Sequence, residues 1–411
     1  MYISSVVASL LSTIFIIFVI AALGYLLGGI SVKGISLGTA GVLVIALAFG
    51  VLASFVPYFQ IGDKNIVLYL ASNLTLDDGT VLSGTKSIFS FVSSMGTAMF
   101  VTAVGLIAGP KFFRTFNKKN LGYILMGVII IAVGTAVAIA ILLIDKDDNL
   151  DSSLMAGLLT GALTSTPGLS AAKEVASNEA GVTAGYGIAY LFGVLGVVFF
   201  VQVIPKILKI DIAEERRNFV AANVIEVKPL KKRVKKIDSL DFFPFVFTVV
   251  IGMIIGCLKI PGINFSLGSS GGCLIAGLIV GHFGHIGPID LRFSKATLNF
   301  LRELGLCLFL IGAGVPGGVN FISNVKVSYF VYGIILTIVP MIIGFILAKY
   351  VFKMSIFNNL GSITGGMTST PALGALISTA GTDEVTAAYA STYPFALFCV
   401  VLAAKLLVTI L

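Results

Sequence analysis

Two short polar steps stand out in a very apolar chain, because their residue types suit the binding of an anion. The step Thr-Ser-Thr-Pro occurs at residues 164–167 and again at residues 368–371. A threonine followed by a proline is typical of a helix start, where the hydroxyl caps the helix and the missing N–H of proline costs nothing. The N–H groups of such a start lack helical partners and lie at the positive end of the helix dipole. The sequence therefore predicts Thr166 and Thr370 as N-caps, and an anion site at the N–H groups after each proline.

The hydroxyls of the two steps add donors for an anion, or oxygen ligands for a cation. Two helix starts that face each other suit a substrate with two carboxylates. Tyr190 and Tyr393 follow the steps in the next apolar segments and are expected to line the same cavity, with aromatic packing as the alternative. A simple kink, whose hydroxyls bond the previous turn, is the alternative interpretation of each step. The predicted substrate-binding residues are Thr164, Ser165, Thr166, Pro167, Thr368, Ser369, Thr370, Pro371, Tyr190 and Tyr393.

The composition places these steps in a lipid bilayer. The 411 residues are 57% hydrophobic and 11% charged, whereas soluble domains carry about 25% charged residues. The net charge of +8 is carried mainly by short connectors, and no basic-aromatic tract predicts a nucleic-acid partner. No motif of an enzyme, a cofactor site or a metal site is found, and His282 and His285 lack a carboxylate cluster. The four cysteines, which are interpreted as packing thiols, are Cys257, Cys273, Cys307 and Cys399.

Long apolar runs predict ten membrane-spanning helices. They lie near residues 5–29, 39–57, 88–109, 120–144, 184–206, 242–258, 268–284, 298–317, 327–349 and 385–410. Segments 154–177 and 358–381 are apolar too, but glycines and the Thr-Ser-Thr-Pro steps interrupt them. The strongly basic stretch near 206–238 is predicted to be cytoplasmic, with a headgroup-binding element as the alternative. Five spans precede this stretch, so both termini are expected outside, in a bacterial inner membrane.

An internal repeat relates the two halves of the chain. Residues 164–167 match residues 368–371 at an offset of 204, and three further blocks match in the same order. Each unit has five spans, an odd number, so the two copies must insert in opposite orientations. We therefore predict an all-α polytopic membrane protein with about ten transmembrane helices as two inverted five-helix repeats, each with a broken or re-entrant segment. The predicted divisions are repeat 1–206, basic linker 207–240 and repeat 241–411.

The other blocks of the repeat are glycine-rich. "MGTAMFVTAVGLIAG" (95–109) matches "LGLCLFLIGAGVPGG" (304–318), and "SLGTAG" (36–41) matches "SLGSSG" (266–271). After the polar steps, "VTAGYGIAYLFG" (182–193) matches "VTAAYASTYPFA" (385–396) and pairs the tyrosines of the two halves. Inverted repeats with a Gly/Pro-interrupted segment at matching positions indicate the binding site of a secondary transporter.

Ionisable residues at membrane depth are functional hypotheses by default. Arg302 and Glu303 are predicted either as a coupling site or as a snorkelling arginine with a neighbouring carboxylate. Lys173 and Glu174 are placed either at an outer mouth of the substrate path or at the membrane interface. Lys405, near the end of the last span, is predicted to snorkel outward.

The quoted blocks also resemble a known family. "GYLLGGISVKGISLGTAGVLV" (24–44), "MGTAMFVTAVGLIAGPKFF" (95–113), "GLLTGALTSTPGLSAA" (157–172) and "YPFA" (393–396) are similar to the aspartate:alanine exchanger family of bacterial transporters. The resemblance implies exchange or export of amino acids or dicarboxylates such as aspartate, alanine or succinate, with the Thr-Ser-Thr-Pro steps in the substrate region. Typical members carry large regulatory domains between the halves, where this chain has only a short linker. In architecture alone, the chain also resembles bacterial sodium:glutamate symporters.

These observations lead to a functional expectation with a stated alternative. A secondary exchanger of small carboxylates or amino acids is expected, with an anionic or zwitterionic substrate held between the two helix starts. A sodium- or proton-coupled symporter is the alternative. A channel fits the inverted duplication less well, and an intramembrane enzyme would need a nucleophile, base or metal constellation that the sequence does not offer. The lipid bilayer is the predicted surrounding, and a homodimer is left open.

Overall fold

The chain is helical, as the composition predicts. The computed structural model describes residues 2–32, 35–36, 39–61, 64–76, 80–112, 121–145, 150–222, 236–258, 268–319, 321 and 325–410. Seven helices precede the linker: α1 Tyr2–Gly29, α2 Ala40–Phe55, α3 Lys86–Phe112, α4 Leu121–Ile144, α5 Ser152–Ala162, α6 Thr166–Lys173 and α7 Glu179–Ile207. The helix α8 (Ile212–Ala222) follows, and then come α9 Phe242–Cys257, α10 Gly268–Phe283, α11 Lys295–Val319, α12 Val327–Tyr350, α13 Ile356–Gly366, α14 Thr370–Ala380 and α15 Thr386–Ile410.

Six helices in the described part of the chain are long and apolar enough to cross a membrane: α3, α4, α7, α11, α12 and α15. Four other helices, α1, α2, α9 and α10, contribute shorter apolar segments: Thr13–Gly29, Gly41–Phe55, Phe242–Cys257 and Gly268–Phe283. All ten coincide with predicted spans. Because such helices are apolar on every side, they are suited to contact either lipid or other helices. The chain is therefore a polytopic, all-α membrane protein.

The pair α5–α6 folds back on itself. Each helix is too short to cross alone, since α5 has 11 residues and α6 has 8, and a helix rises about 1.5 Å per residue against about 30 Å of hydrocarbon. Asp151 caps α5 by accepting from Leu154 N at 2.7 Å. The Asn178 side chain, which caps α7, donates to the same carboxylate at 3.2 Å. The two ends of the α5–α6 pair therefore lie together.

The pair α13–α14 in the second half has the same shape. A Cβ on Gly361 of α13 would lie 3.0 Å from the carbonyl oxygen of Val385, directly before α15. The α14 helix ends at Ala380, and Gly381 follows in the left-handed conformation with φ 63°. Arg216 of α8 donates from Nε to Ala380 O at 2.8 Å, so a cation of the linker helix binds the negative end of α14.

Helix packing divides the described elements into two sets. In the first set, which we call the frame helices, α3 packs on α10 and α11, α2 on α1 and α11, and α9 on α10. In the second set, the hairpin helices, α5 packs on α7, α13 on α15, α4 on α12 and α15, and α12 on α7. The sets meet mainly where α11 contacts α7 and where α3 contacts α15.

Connectors carry the small amount of β structure among the described residues. Four two-stranded antiparallel hairpins pair Ser31–Val32 with Ile35–Ser36, Tyr58–Ile61 with Lys64–Val67, Leu74–Thr75 with Val81–Leu82, and His285–Ile286 with Ile289–Asp290. Arg292 binds the buried carboxylate of Asp290 at 2.8 Å and lowers its pKa. Asp241 accepts from Ser294 N at 2.8 Å and from Lys236 Nζ at 2.8 Å. The end of the linker therefore lies beside the α10–α11 connector.

Candidate substrate site at two helix breaks

Both Thr-Ser-Thr-Pro steps interrupt helices in the same way. The first threonine of each step has a positive φ, 53° at Thr164 and 50° at Thr368. This left-handed conformation is uncommon for a β-branched residue and costs about 1–3 kcal/mol. It ends the incoming helix, after which Ser165 N bonds Thr160 O at 2.7 Å and Ser369 N bonds Thr364 O at 3.0 Å. Each break is therefore a defined turn between two helices.

The two breaks lie directly against each other. Thr164 Oγ1 donates to the carbonyl oxygen of Met367 at 2.9 Å, and Thr368 Oγ1 donates to that of Leu163 at 2.9 Å. These four residues are mates at the repeat offset of 204, so the bonds are reciprocal. All lie in the buried interior, where an unpaired carbonyl is costly. The hydroxyls of Thr164 and Thr368, which are predicted from the sequence to bind a ligand, therefore bond the opposite break in this structure.

The helix caps lie one residue earlier than predicted. Ser165 is the N-cap of α6 and accepts from Gly168 N at 3.2 Å. Ser369 is the N-cap of α14, so the prediction of Thr166 and Thr370 as caps is wrong. Because the first residue of each step takes the left-handed conformation, the serine that follows it becomes the N-cap of the next helix. The prediction of a free N–H directly after Pro167 is also wrong, because Gly168 bonds the cap.

Ser369 differs from its repeat mate. Its hydroxyl makes no cap bond and, although fully buried, has no hydrogen-bond partner in the described structure. The same holds for the hydroxyl of buried Thr392 in α15. Thr392 packs next to Gly365, near the second break, where a Cβ on Gly365 would lie 3.1 Å from that of Thr392. The second break therefore contains two buried hydroxyls without partners in the described structure, which a bound water or a ligand would satisfy.

The predicted tyrosines lie beside the breaks in ring pairs, tilted by 35° in the first half and stacked in the second. Tyr190 packs on Tyr186 with 5.0 Å between ring centroids, and Tyr393 packs on Tyr389 with 5.2 Å. The hydroxyl of Tyr186 also bonds Thr166 Oγ1 at 3.0 Å. The tyrosines therefore take part in aromatic packing next to the first and second break. The side chains of Thr370 and Pro371 fall outside the described part of the chain.

Arg302 and Glu303 make no described hydrogen bond to the breaks, but Glu303 lies within electrostatic reach of Tyr190, and Arg302 lies within reach of Tyr393. They form an ion pair of 2.8 Å, and Thr39 Oγ1 donates to the same glutamate at 2.6 Å. Thr39 directly precedes α2, so this pair fastens α11 to the start of α2. Both side chains are partly exposed, which matches the interpretation of an arginine with a neighbouring carboxylate.

The sequence singles out both members of a second ion pair at membrane depth, but it does not predict that they bind each other. Lys405 of α15 is only 1% exposed and binds Glu174, at the end of α6, with 2.7 Å between Nζ and Oε2. The prediction that Lys405 snorkels outward is therefore wrong. Lys173, beside this pair, is largely buried and lies 3.7 Å from Glu179. The available signal was the occurrence of two opposite charges within apolar segments.

Glu174 also joins the first hairpin to the frame helix α10. Its Oε1 accepts from Ser270 N at 2.6 Å, from Ser270 Oγ at 2.7 Å and from Ser269 Oγ at 2.5 Å. The preceding Gly268 has φ 65°, and a Cβ there would collide with this carboxylate and with Lys405. The carboxylate therefore occupies the positive end of α10. Thr39 and Ser269, from the matching "SLGTAG" and "SLGSSG" blocks, each bind the glutamate of an ion pair.

Comparison with known proteins agrees with a membrane carrier. A family model described as "Predicted Permease Membrane Region" (Asp-Al_Ex) matches residues 66–206 and 244–409. An uncharacterized transporter of Bacteroides fragilis is 26% identical, with 97% of this chain and 98% of that protein covered. Uncharacterized transporters of Bacteroides thetaiotaomicron (26%; 95% and 97% covered) and Desulfotalea psychrophila (24%; 97% and 97% covered) are also similar.

The packed apolar helices define a polytopic membrane protein, and the family model and the relatives identify it as a transporter. Because the matched segments cover most of the sequence, the chain belongs to this permease family, and the resemblance to the aspartate:alanine exchangers is confirmed. The alignment with the Bacteroides fragilis relative runs over 559 positions, more than the 411 residues of this chain. That relative therefore contains residues without a counterpart here.

Proposed function

We propose that the protein is a secondary active transporter that exchanges small carboxylates or amino acids across a bacterial inner membrane. The reciprocal hydrogen bonds between Thr164 and Met367 and between Thr368 and Leu163 are the observation that carries this proposal. These bonds join the breaks at the starts of α6 and α14, one from each half of the chain, in the buried interior. A substrate there lies between the positive ends of α6 and α14, which favours a carboxylate.

The proposed membrane arrangement is two inverted five-helix repeats. In it, α5–α6 and α13–α14 are re-entrant hairpins that enter from opposite faces. The contact of Asn178 with Asp151 supports the first hairpin, and the proximity of Gly361 to Val385 supports the second. The basic linker then lies in the cytoplasm with Arg216, and both termini lie outside. Inverted repeats with broken helices are the recurrent design of carriers that alternate access around a fixed site.

A sodium- or proton-coupled symporter is the second candidate. The buried pair of Lys405 and Glu174 favours it, because ionisable groups at membrane depth mark ion or proton pathways. The pair lies at the contact between a hairpin and the frame, where a change of charge would alter the packing of the two sets.

Counterflow in proteoliposomes tests the proposal. Vesicles loaded with L-aspartate, L-alanine or succinate are diluted into a trace amount of the same labelled compound. An exchanger accumulates label only when the inside is loaded with a substrate, and it needs no ion gradient. Uptake that requires a sodium or proton gradient would support the symporter instead. No uptake of any of the three compounds by protein that is folded and inserted would contradict the proposed substrate class.

A further inference from the structure

The two serines of the Thr-Ser-Thr-Pro steps are equivalent in sequence but not in structure. Ser165 uses its hydroxyl to cap α6, where it accepts from Gly168 N at 3.2 Å. Ser369 starts the 11-residue helix α14, makes no cap bond, is 0% exposed and has no partner in the described structure. The first helix start is therefore satisfied by the protein itself, and the second is not.

A second, independent difference lies in the helices that follow the breaks. The Cβ atom of Ala189 in α7 lies 3.1 Å from where a Cβ on Gly161 would be, and that of Thr392 in α15 lies 3.1 Å from the same point on Gly365. In the repeat, Gly161 corresponds to Gly365, and Ala189 corresponds to Thr392. The first half thus has a methyl group where the second half has a buried hydroxyl without a partner in the described structure. Both buried hydroxyls without a partner in the described structure, those of Ser369 and Thr392, therefore belong to the second half.

We infer that the carboxylate of the substrate binds at the second break, at the start of α14 and on the hydroxyl of Ser369, and not equally at both breaks. This inference rests on the proposed transport function. A buried hydroxyl without a partner is destabilising, and a ligand that bonds it removes this cost. The positive end of α14 disfavours a bare cation and favours an anion. The first break then serves mainly as the packed wall of the site, through Thr164 and Thr166.

The repeat offers a matched pair of variants for the first test, which needs no ligand. Ser165→Ala removes a cap hydrogen bond and should lower the melting temperature of the purified protein by about 1–3 °C. Ser369→Ala removes no bond and relieves an unpaired hydroxyl, so its melting temperature should equal or exceed that of the wild type. An equal loss in both variants would overturn the inference, because both serines would then be caps.

The second test uses a small anionic thiol reagent, a sulfonate-bearing methanethiosulfonate. Ser165→Cys and Ser369→Cys are made in a variant without the four native cysteines and reconstituted in liposomes. The Ser369→Cys variant should react several-fold faster than the Ser165→Cys variant, and faster than it does with the cationic analogue of the reagent. Equal rates, a faster reaction of Ser165→Cys, or no reaction of either variant overturns the inference.

Protection separates this inference from the proposed function. L-aspartate, L-alanine and succinate are each added before the anionic reagent. Slower modification of Ser369→Cys by one of them supports both the site and the substrate class. Selective modification of Ser369→Cys that none of them slows keeps the anion site and contradicts the substrate class. Transport of one compound together with equal modification of both variants keeps the transport function and refutes the asymmetric site.

Discussion

At the scale of single residues, Thr164 and Thr368 hold the two halves of the molecule together. Each adopts a left-handed backbone conformation and donates to a carbonyl oxygen of the opposite break at 2.9 Å. The buried hydrogen bond offsets part of the backbone strain. The two residues therefore form reciprocal hydrogen bonds that join the breaks at the centre of the candidate site.

We predict that Thr164→Val and Thr368→Val destabilise the protein by similar amounts, about 1–3 kcal/mol each, because each leaves a buried carbonyl without a donor. Thr164→Ser and Thr368→Ser keep the hydroxyl and serve as controls. Unfolding of the purified protein by heat or denaturant measures the effect. A loss of stability in only one valine variant, or serine variants as unstable as the valine variants, would refute the claim that the two reciprocal hydrogen bonds stabilise the protein.

The pair of Glu174 and Lys405 leads to an unequal prediction. Glu174→Gln leaves a 1% exposed ammonium without its carboxylate, whereas Lys405→Met leaves Glu174 with its bonds to Ser269 and Ser270. Breaking a buried pair costs about 3–5 kcal/mol, so Glu174→Gln should be the more destabilising change. The double variant Glu174→Gln/Lys405→Met should lose much less than the sum of the two.

The same thermal or chemical unfolding assay measures these variants. Glu384→Gln is the control, since this side chain is exposed and takes part in no described ion pair, and it should change stability little. Additive effects of the two single changes would mean that Glu174 and Lys405 act independently, contrary to the geometry.

The sequence located the breaks and the repeat, but not the hydrogen-bond and ring partners within them. The repeat offset of 204 correctly matched Thr164 with Thr368, because residues of one type at one spacing mark a shared turn. It could not show that Ser165 caps its helix while Ser369 does not, since identical residues differ here through their surroundings. Lys405 was misjudged because its partner lies 231 residues away in the chain.

At the scale of elements, the first hairpin meets the frame through a polar contact. Ser170 of α6 lies 2.7 Å from Ser270 of α10, measured between the hydroxyl oxygens, and 3.2 Å from Thr97 of α3. These hydroxyls extend the bonds that Glu174 makes to the start of α10. We predict that this contact opens during transport, so that the hairpin helices move against the frame here.

We predict that a disulfide between Ser170→Cys and Ser270→Cys forms on oxidation and stops transport. The separation of the hydroxyl oxygens suits a cross-link, and a covalent bond would fix the hairpin to α10. Transport is measured before oxidation, after oxidation and after reduction, in a variant without the native cysteines. Each single cysteine variant is the control and should be insensitive to the oxidant. Full transport with a complete cross-link would show that this contact does not open.

At the scale of the whole molecule, the ten predicted spans coincide with ten apolar helices, because length and apolar composition determine which segments can span lipid. Their orientation across the membrane remains a prediction from the basic linker. Lys236 and Asp241 place the end of the linker beside the α10–α11 connector, and Tyr332 at the start of α12 binds Asp145 at the end of α4 at 2.6 Å. These contacts show which helix ends share one side of the molecule.

The topology can be tested by cysteine labelling in intact cells with an impermeant reagent. Lys228→Cys in the linker should be protected, and Asp148→Cys in the α4–α5 connector should be modified, since the basic linker is predicted inside and the acidic connector outside. Both positions lie outside the described residues. Permeabilised cells, in which both cysteines must react, are the control. The opposite labelling pattern would reverse the orientation of the molecule and place both termini inside.

The central claim is that one small carboxylate binds between the two Thr-Ser-Thr-Pro breaks, at the start of α14. The most direct measurement is a cryo-electron microscopy map of the protein in nanodiscs, saturated with the compound that counterflow identifies as a substrate. We predict ligand density between the breaks, with a carboxylate oxygen within hydrogen-bond distance of Ser369 Oγ. Ligand density away from both breaks, with the reciprocal bonds of Thr164 and Thr368 unchanged around an empty Ser369, would contradict the account.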